Sequence, residues 1–143
     1  MKKITEFKGK HYFLSNFYSA PVTYNGHSFL NNEAAFQAAK CPERVREFCS
    51  LNPSEAKRLG RRVHLRDDWE SIKDDVMYEI CKAKFSQNPE LADKLISTGS
   101  AKLIEGNTWG DRVWGVCNGL GENRLGNILM QIRDELKEGG FSD

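Results

Sequence analysis

Shortages narrow the function of this chain before any motif does. Its four cysteines, Cys41, Cys49, Cys81 and Cys117, lie 8, 32 and 36 positions apart with no Cys-x-x-Cys pair. They read as reduced thiols, not as a metal cage or a disulfide frame. His11, His27 and His64 stand singly in different predicted elements, so no metal ligation is expected. Excess charge of one sign is also missing: 21 Lys and Arg against 20 Asp and Glu leave a net +1, too little to grip nucleic acid mainly through counterion release, and any polyanion contact must be local. No run of about 18 apolar residues occurs. Lys2 and Lys3 are followed at once by Thr5, Glu6 and Lys8, not by an apolar signal core. The expectation is a cytoplasmic protein with no membrane partner. Internal repeats, low-complexity tracts and linkers are absent too. What remains is 143 residues, 39% apolar and 10% aromatic, the ordinary content of one domain spanning 1–143.

The elements follow from local chemistry. Asn25-Gly26 sits between Pro21–Tyr24 and His27–Leu30, and Asn-Gly tolerates the positive φ angles of a two-residue hairpin turn. Asn31 and Asn32 can cap a helix that starts near Glu33, which Ala34, Ala35, Ala38 and Ala39 favour and Pro42 stops or kinks. A second helix is expected after Pro42, and a short one capped by Asn52 and ended by Gly60. Asp68 to Gln87 reads as a long helix capped by aspartates, with Trp69, Ile72, Val76, Ile80 and Ala83 as its core stripe. Pro89 opens another helix through about Ile96, Lys102–Glu105 reads as a short strand, and Leu125, Ile128, Leu129, Ile132 and Leu136 mark a C-terminal helix. Together these predict a single compact, mainly helical α+β domain with a small β-hairpin.

Three places concentrate chemistry. In the first helix Glu33, Gln37 and Lys40 fall at i, i+4 and i+7 on one narrow face, either a solvated stripe or a ligand-facing row; Glu33 and Lys40 are about 10 Å apart along the axis. In the long helix Trp69, Lys73 and Met77 form a row that sets an ammonium beside an indole. It follows the cationic run Lys57, Arg58, Arg61, Arg62 and Arg66, which is either a solvated surface or a phosphate grip. The densest segment is Glu105–Gly115 with Gly119, Gly121, Asn123 and Gly126. Its glycines allow close backbone approach, and its Trp109 and Trp114 supply either flat stacking surface or core anchors. The third glycine is misplaced for a dinucleotide fingerprint, so a Rossmann reading fails.

Ser15-Asn16-Phe17, Asn32–Lys40, Gly60-Arg61, Leu65–Lys73 with Val76-Met77, Asp111–Gly115, and Gly121–Gly126 with Leu129-Met130 resemble, in order and spacing, the NADAR or YbiA-like family over nearly the whole chain. The resemblance implies a compact α+β domain that hydrolyses N-glycosidic bonds without a cofactor. Some members cleave ribosylamino pyrimidine phosphates of riboflavin synthesis; others remove ADP-ribose from the amino group of guanine, with a cognate DNA ADP-ribosyltransferase toxin as partner. By motif position Glu33, Lys40, Trp69, Asp111 and Trp114 match the family's active-site positions, and Asn16, Phe17, Arg61 and Asn123 its pocket. Ala34 and Ala35 depart from many members, which carry larger His or Tyr residues there.

Breaking a ribosyl C–N bond builds positive charge on the sugar while the departing nitrogen needs a proton, and two carboxylates answer both needs. Glu33 and Asp111 are the candidates, with Lys40 either binding phosphate or capturing the ring-opened sugar as a Schiff base. Gln37 shares their helix face, Trp69 and Trp114 would clamp the base, and Arg61 would hold phosphate. The substrate is expected to be a small nucleotide or ADP-ribosylated guanine, with local contact to single-stranded DNA. The rival reading is a non-catalytic module that binds ADP-ribose or a nucleotide, which the same Trp, Gly and Arg residues would serve.

Overall fold

The hairpin forms where Asn-Gly demands it: Asn25 and Gly26 take φ of 50° and 80°, joining strands that pair antiparallel from Val22↔Phe29 to Tyr24↔His27. The computed structural model describes residues 2–139. In chain order the elements are β1 (Lys3–Ile4), β2 (Ser19–Tyr24), β3 (His27–Asn31), α1 (Asn32–Ala39), α2 (Pro53–Gly60), α3 (Trp69–Gln87), α4 (Pro89–Ser97), β4 (Lys102–Leu103), β5 (Gly106–Asn107), β6 (Val116–Cys117) and α5 (Arg124–Lys137). Two 3₁₀ segments, Gly9–Leu14 and Pro42–Phe48, complete the list. This is the mainly helical α+β architecture with small sheets that the sequence predicts. No described helix is long and apolar enough to cross a membrane, and no described group of three or more His, Cys, Asp or Glu residues could hold a metal ion.

The chain makes two compact units, Asn16–Asn88 and the pairing of Met1–Ser15 with Pro89–Asp143. In the first, Asn31 caps α1 through its side chain, which accepts the Ala34 amide at 2.7 Å. Asn52 and Glu55 close a capping box at α2, the reciprocal pairing that satisfies two orphan amides. The aspartate cap expected for α3 does not form. Asp68 instead accepts the Arg66 guanidinium through both oxygens, at 2.6 and 3.1 Å, and offers only its backbone carbonyl to Ser71. Arg66 in turn closes the end of α1, donating from its side chain to Ala39 O at 3.4 Å and from its amide to Lys40 O at 3.0 Å. These are the carbonyls a helix leaves orphaned.

The other unit is braced by two parallel strand pairs, β1 with β4 and β5 with β6. Each strand is two residues long, shorter than the Lys102–Glu105 strand expected, because Asn123 takes over the ladder: its side chain accepts Glu105 N at 3.0 Å and donates to Leu103 O at 2.9 Å. Asn123 holds φ of 52° to do so, and a Cβ on Gly126 would collide with Leu103 O and the Asn123 amide. Leu125, Leu129 and Ile132 give α5 its buried face, while Arg133, also buried, donates to Thr98 Oγ1 and Ala101 O at 2.9 and 2.8 Å.

Candidate active site

In the Asn16–Asn88 unit, α1 presents Glu33, Gln37 and Lys40, and the solvated-stripe alternative fails because Gln37 is only 5% exposed. Gln37 donates from Nε2 to Glu33 Oε2 at 2.6 Å, a charge-assisted bond that fixes the carboxylate. The other end of that amide, Oε1, is buried with no partner among the described residues. It lies where α2 ends, and a Cβ on Gly60 would strike it. Glycine at 60 is therefore a space requirement for Gln37. The Glu33 amide donates to Asn16 O at 3.0 Å, so the segment entering α1 positions the residue.

Asn16 is buried and its side chain is spent internally, donating to Met77 Sδ at 3.4 Å and accepting Asn32 Nδ2 at 3.2 Å. Trp69 is 5% exposed and packs on Phe36 with ring centroids 5.0 Å apart at 59°. The ammonium near its indole is not that of Lys73, which pairs with Glu70 at 2.7 Å. Lys40 takes that place, 5.9 Å from both the Trp69 and Phe36 rings. Desolvation lowers the pKa of Lys40, Glu33 opposes this, and the positive charges of Arg61, Lys57 and Lys73 lower it further. An amine so placed loses its proton more readily than an exposed lysine. Arg61 is exposed at the end of α2, and Phe17 is half-buried with the Lys57 ammonium 5.9 Å from its ring.

In the other unit Asp111 Oδ1 accepts the amides of Val113 at 3.0 Å and Trp114 at 2.9 Å, which orients the carboxylate. Asn107 holds the same loop from the other side, donating to Asp111 O at 2.9 Å and accepting Asp111 N at 3.0 Å. Trp114 is half-buried, its carbonyl accepting Leu125 N at 3.0 Å. Trp109 is no core anchor: it is 58% exposed. Asn123, as described above, spends its amide on β4.

Sequence reasoning passed over Gly60, Asn107 and Arg66 as parts that hold functional groups. Gly60 carries a signal as a helix stop and in the Gly60-Arg61 motif, neither of which points to Gln37, and the partners of Asn107 lie in a loop whose closure no periodicity announces.

Residues 4–137 match the NADAR domain. The chain belongs to the NADAR family. It is 41% identical over 128 residues to N-glycosidase YbiA of Escherichia coli strain K12, covering 85% of this chain and 79% of that one. A riboflavin biosynthesis protein of Vibrio vulnificus is 38% identical over 134 residues, covering 90% of this chain but 36% of its own. The NMR structure of Escherichia coli YbiA is similar in fold, with a TM-score of 0.83 at 35% identity over 99% of this chain and 92% of that one. Ala34 and Ala35 are fully buried here. Their small size serves packing around α1.

Proposed function

We propose that this NADAR protein is a hydrolase that cleaves the N-glycosidic bond between a phosphate-bearing ribosyl group and an exocyclic amine of a heteroaromatic base, in first place the ADP-ribose of ADP-ribosylated guanine. The observation that carries this reading is Lys40: a half-buried amine on the same helix face as a fixed carboxylate, with its proton affinity lowered by burial and by Arg61, Lys57 and Lys73. Similarity to N-glycosidase YbiA supports the bond type. The cationic run Lys57, Arg58, Arg61 and Arg62 suits the two phosphates of ADP-ribose. Similarity to riboflavin biosynthesis proteins favours a second substrate, a ribosylamino pyrimidine phosphate.

Both substrates share one chemistry. A ribosylamine opens to a C1′=N imine; the neutral Lys40 amine adds to C1′, and the base leaves as its free amine after gaining a proton. Water then hydrolyses the lysine imine, which releases the sugar as an aldehyde and restores the amine. Glu33, held by Gln37, shuttles the protons in this scheme. Trp69 supports the Lys40 ammonium, Asn16 positions the first turn of α1, and Arg61 faces phosphate. Asp111, Trp114, Phe17 and Asn123 keep the roles implied by motif position: carboxylate, base clamp and pocket. A DNA end as substrate carrier and an ADP-ribosyltransferase toxin as partner belong to the ADP-ribose reading.

Mass spectrometry of products after incubation with guanine-linked ADP-ribose and a ribosylamino pyrimidine phosphate tests the proposal. Released ADP-ribose supports the first substrate and released ribose phosphate the second; tight binding with both substrates intact would establish the nucleotide-binding module instead. Borohydride added during turnover is expected to fix a sugar adduct on Lys40 that Lys40→Arg lacks. Its absence in an active protein would reduce Lys40 to a phosphate ligand.

A further inference from the structure

The loop that carries Asp111 also carries an exposed indole, that of Trp109. Asn107 fastens the loop at both ends through its two hydrogen bonds to Asp111, and is itself buried with a third bond to Glu105 Oε2 at 3.0 Å. Between the fastenings stand Thr108, Trp109 and Gly110, and Gly110 turns the chain at φ of 88°. Beyond them, the two amide bonds to Asp111 Oδ1 pin Val113 and Trp114. Trp109 is 58% exposed at the tip of this braced turn.

Single exposed apolar side chains are common and need no explanation. Trp109 differs in three respects. Its side chain is the largest a protein has, with a flat face suited to stacking. Its backbone lies between Asn107 and Asp111, which are joined by two hydrogen bonds. And it lies two residues from a carboxylate whose orientation is fixed by the same hydrogen bonds. Of the three tryptophans, Trp69 is buried and Trp114 half-buried, which leaves Trp109 as the indole with most free surface.

We propose that Trp109 is a binding residue that stacks on the heteroaromatic base of the N-glycoside. This rests on the activity proposed above, and it adds a specificity determinant that motif position did not assign. A flat ring of any base has a face to offer an indole, so the contact selects for heteroaromatic over aliphatic leaving groups without reading hydrogen-bond edges.

The test pairs kinetics with fluorescence. Trp109→Ala is expected to raise KM for the cleaved N-glycoside about tenfold or more, the usual loss for one base–aromatic stack, with kcat changed far less, and Trp109→Phe to recover most of the loss. Guanosine monophosphate is expected to shield the iodide-accessible tryptophan emission of the wild-type protein, ribose 5-phosphate is not, and Trp109→Phe is expected to lack that emission. An unchanged KM in Trp109→Ala with hydrolysis intact overturns the stacking role and leaves the activity standing. A KM penalty confined to oligonucleotide substrates also overturns it, since the ring would then meet a neighbouring base. Conversely, shielding by guanosine monophosphate in a protein that cleaves neither substrate would keep the stacking and remove the activity.

Discussion

Replacing Gly60 with alanine tests the internal wiring of α1 directly. Alanine is ordinarily the better helix former by about 1 kcal/mol, so on propensity alone Gly60→Ala at the end of α2 stabilises slightly. The structure opposes this, because the new Cβ would occupy the position of Gln37 Oε1. Gln37 is buried and must rotate, breaking its 2.6 Å bond to Glu33; a hydrogen bond to a charged group is worth about 1.5–3 kcal/mol. The expected net loss is about 1–2 kcal/mol. In a Gln37→Ala background the obstacle is gone, so the same Gly60→Ala change is expected to be neutral or mildly stabilising. Urea unfolding of the wild type, both single variants and the double variant gives the coupling. Additivity within about 0.5 kcal/mol, the behaviour of independent sites, would refute the contact and the reason given for glycine at 60. Under the proposed activity, Gly60→Ala is further expected to lower kcat towards that of Gln37→Ala.

Lys84 is 1% exposed, with its ammonium 5.6 Å from the Tyr18 ring and 5.2 Å from the Phe85 ring, and burial lowers its pKa from 10.5 to about 8. Below pH 8 both folded and unfolded chains hold the proton and the burial penalty is present in full; between 8 and 10.5 only the unfolded chain binds it, so stability rises with pH. Lys84→Met is expected to stabilise by up to about 3 kcal/mol at pH 7, an advantage that shrinks by pH 10.5; a constant difference in urea unfolding across that range would refute it. Asp111→Asn keeps an oxygen for the Val113 and Trp114 amides but removes the charge, so kcat is expected to fall about a hundredfold or more at unchanged Tm. Full activity would take Asp111 off the catalytic list. Asn123→Ala loses two side-chain bonds, one to Leu103 O and one from Glu105 N. A loss of about 2–3 kcal/mol in thermal unfolding is expected, and a loss under about 0.5 kcal/mol would contradict the bridging role.

What was legible in the sequence was local. Asn25-Gly26 announces its turn because few residue pairs accept two positive φ angles, and Asn52 with Glu55 announces a helix start because the box is a short-range bond pattern. The α5 stripe follows from its 3.6-residue period. Longer-range pairings left no such trace. Each strand of β1 with β4 is two residues long, too short for alternation to register. Lys84 shares the spacing of Met77, Ile80 and Cys81, so its place on the buried stripe was readable, but a lysine is so rarely buried that residue type argued against position. In the candidate site the row Glu33, Gln37 and Lys40 was visible as spacing. Which ammonium meets Trp69 was not: helical neighbours favoured Lys73, whereas tertiary packing brings Lys40.

The fastening of α1 makes a final distinction testable, between residues that act on Lys40 through charge and one that acts through position. At eight residues α1 is far too short to be stable alone; Asn31 and Asn16 hold its start and Arg66 holds its end, at Ala39 O and Lys40 O. The charges that act on the Lys40 amine are those of Glu33, Arg61, Lys57 and Lys73. Arg66 is not among them; its guanidinium pairs with Asp68 at 2.6 Å. Arg61→Gln removes a positive neighbour, so the pKa of Lys40 rises towards its ordinary value and less neutral amine is present at a given pH. The acidic limb of the kcat profile is expected to move to higher pH. Arg66→Gln instead loosens the last turn of α1 without changing that balance; kcat is expected to fall about tenfold, on the scale of a mispositioned catalytic group, with the limb in place. A limb that moves equally in both variants would mean that position and charge at Lys40 cannot be separated in this way, and the assignment of Arg66 as a positioning residue would fall.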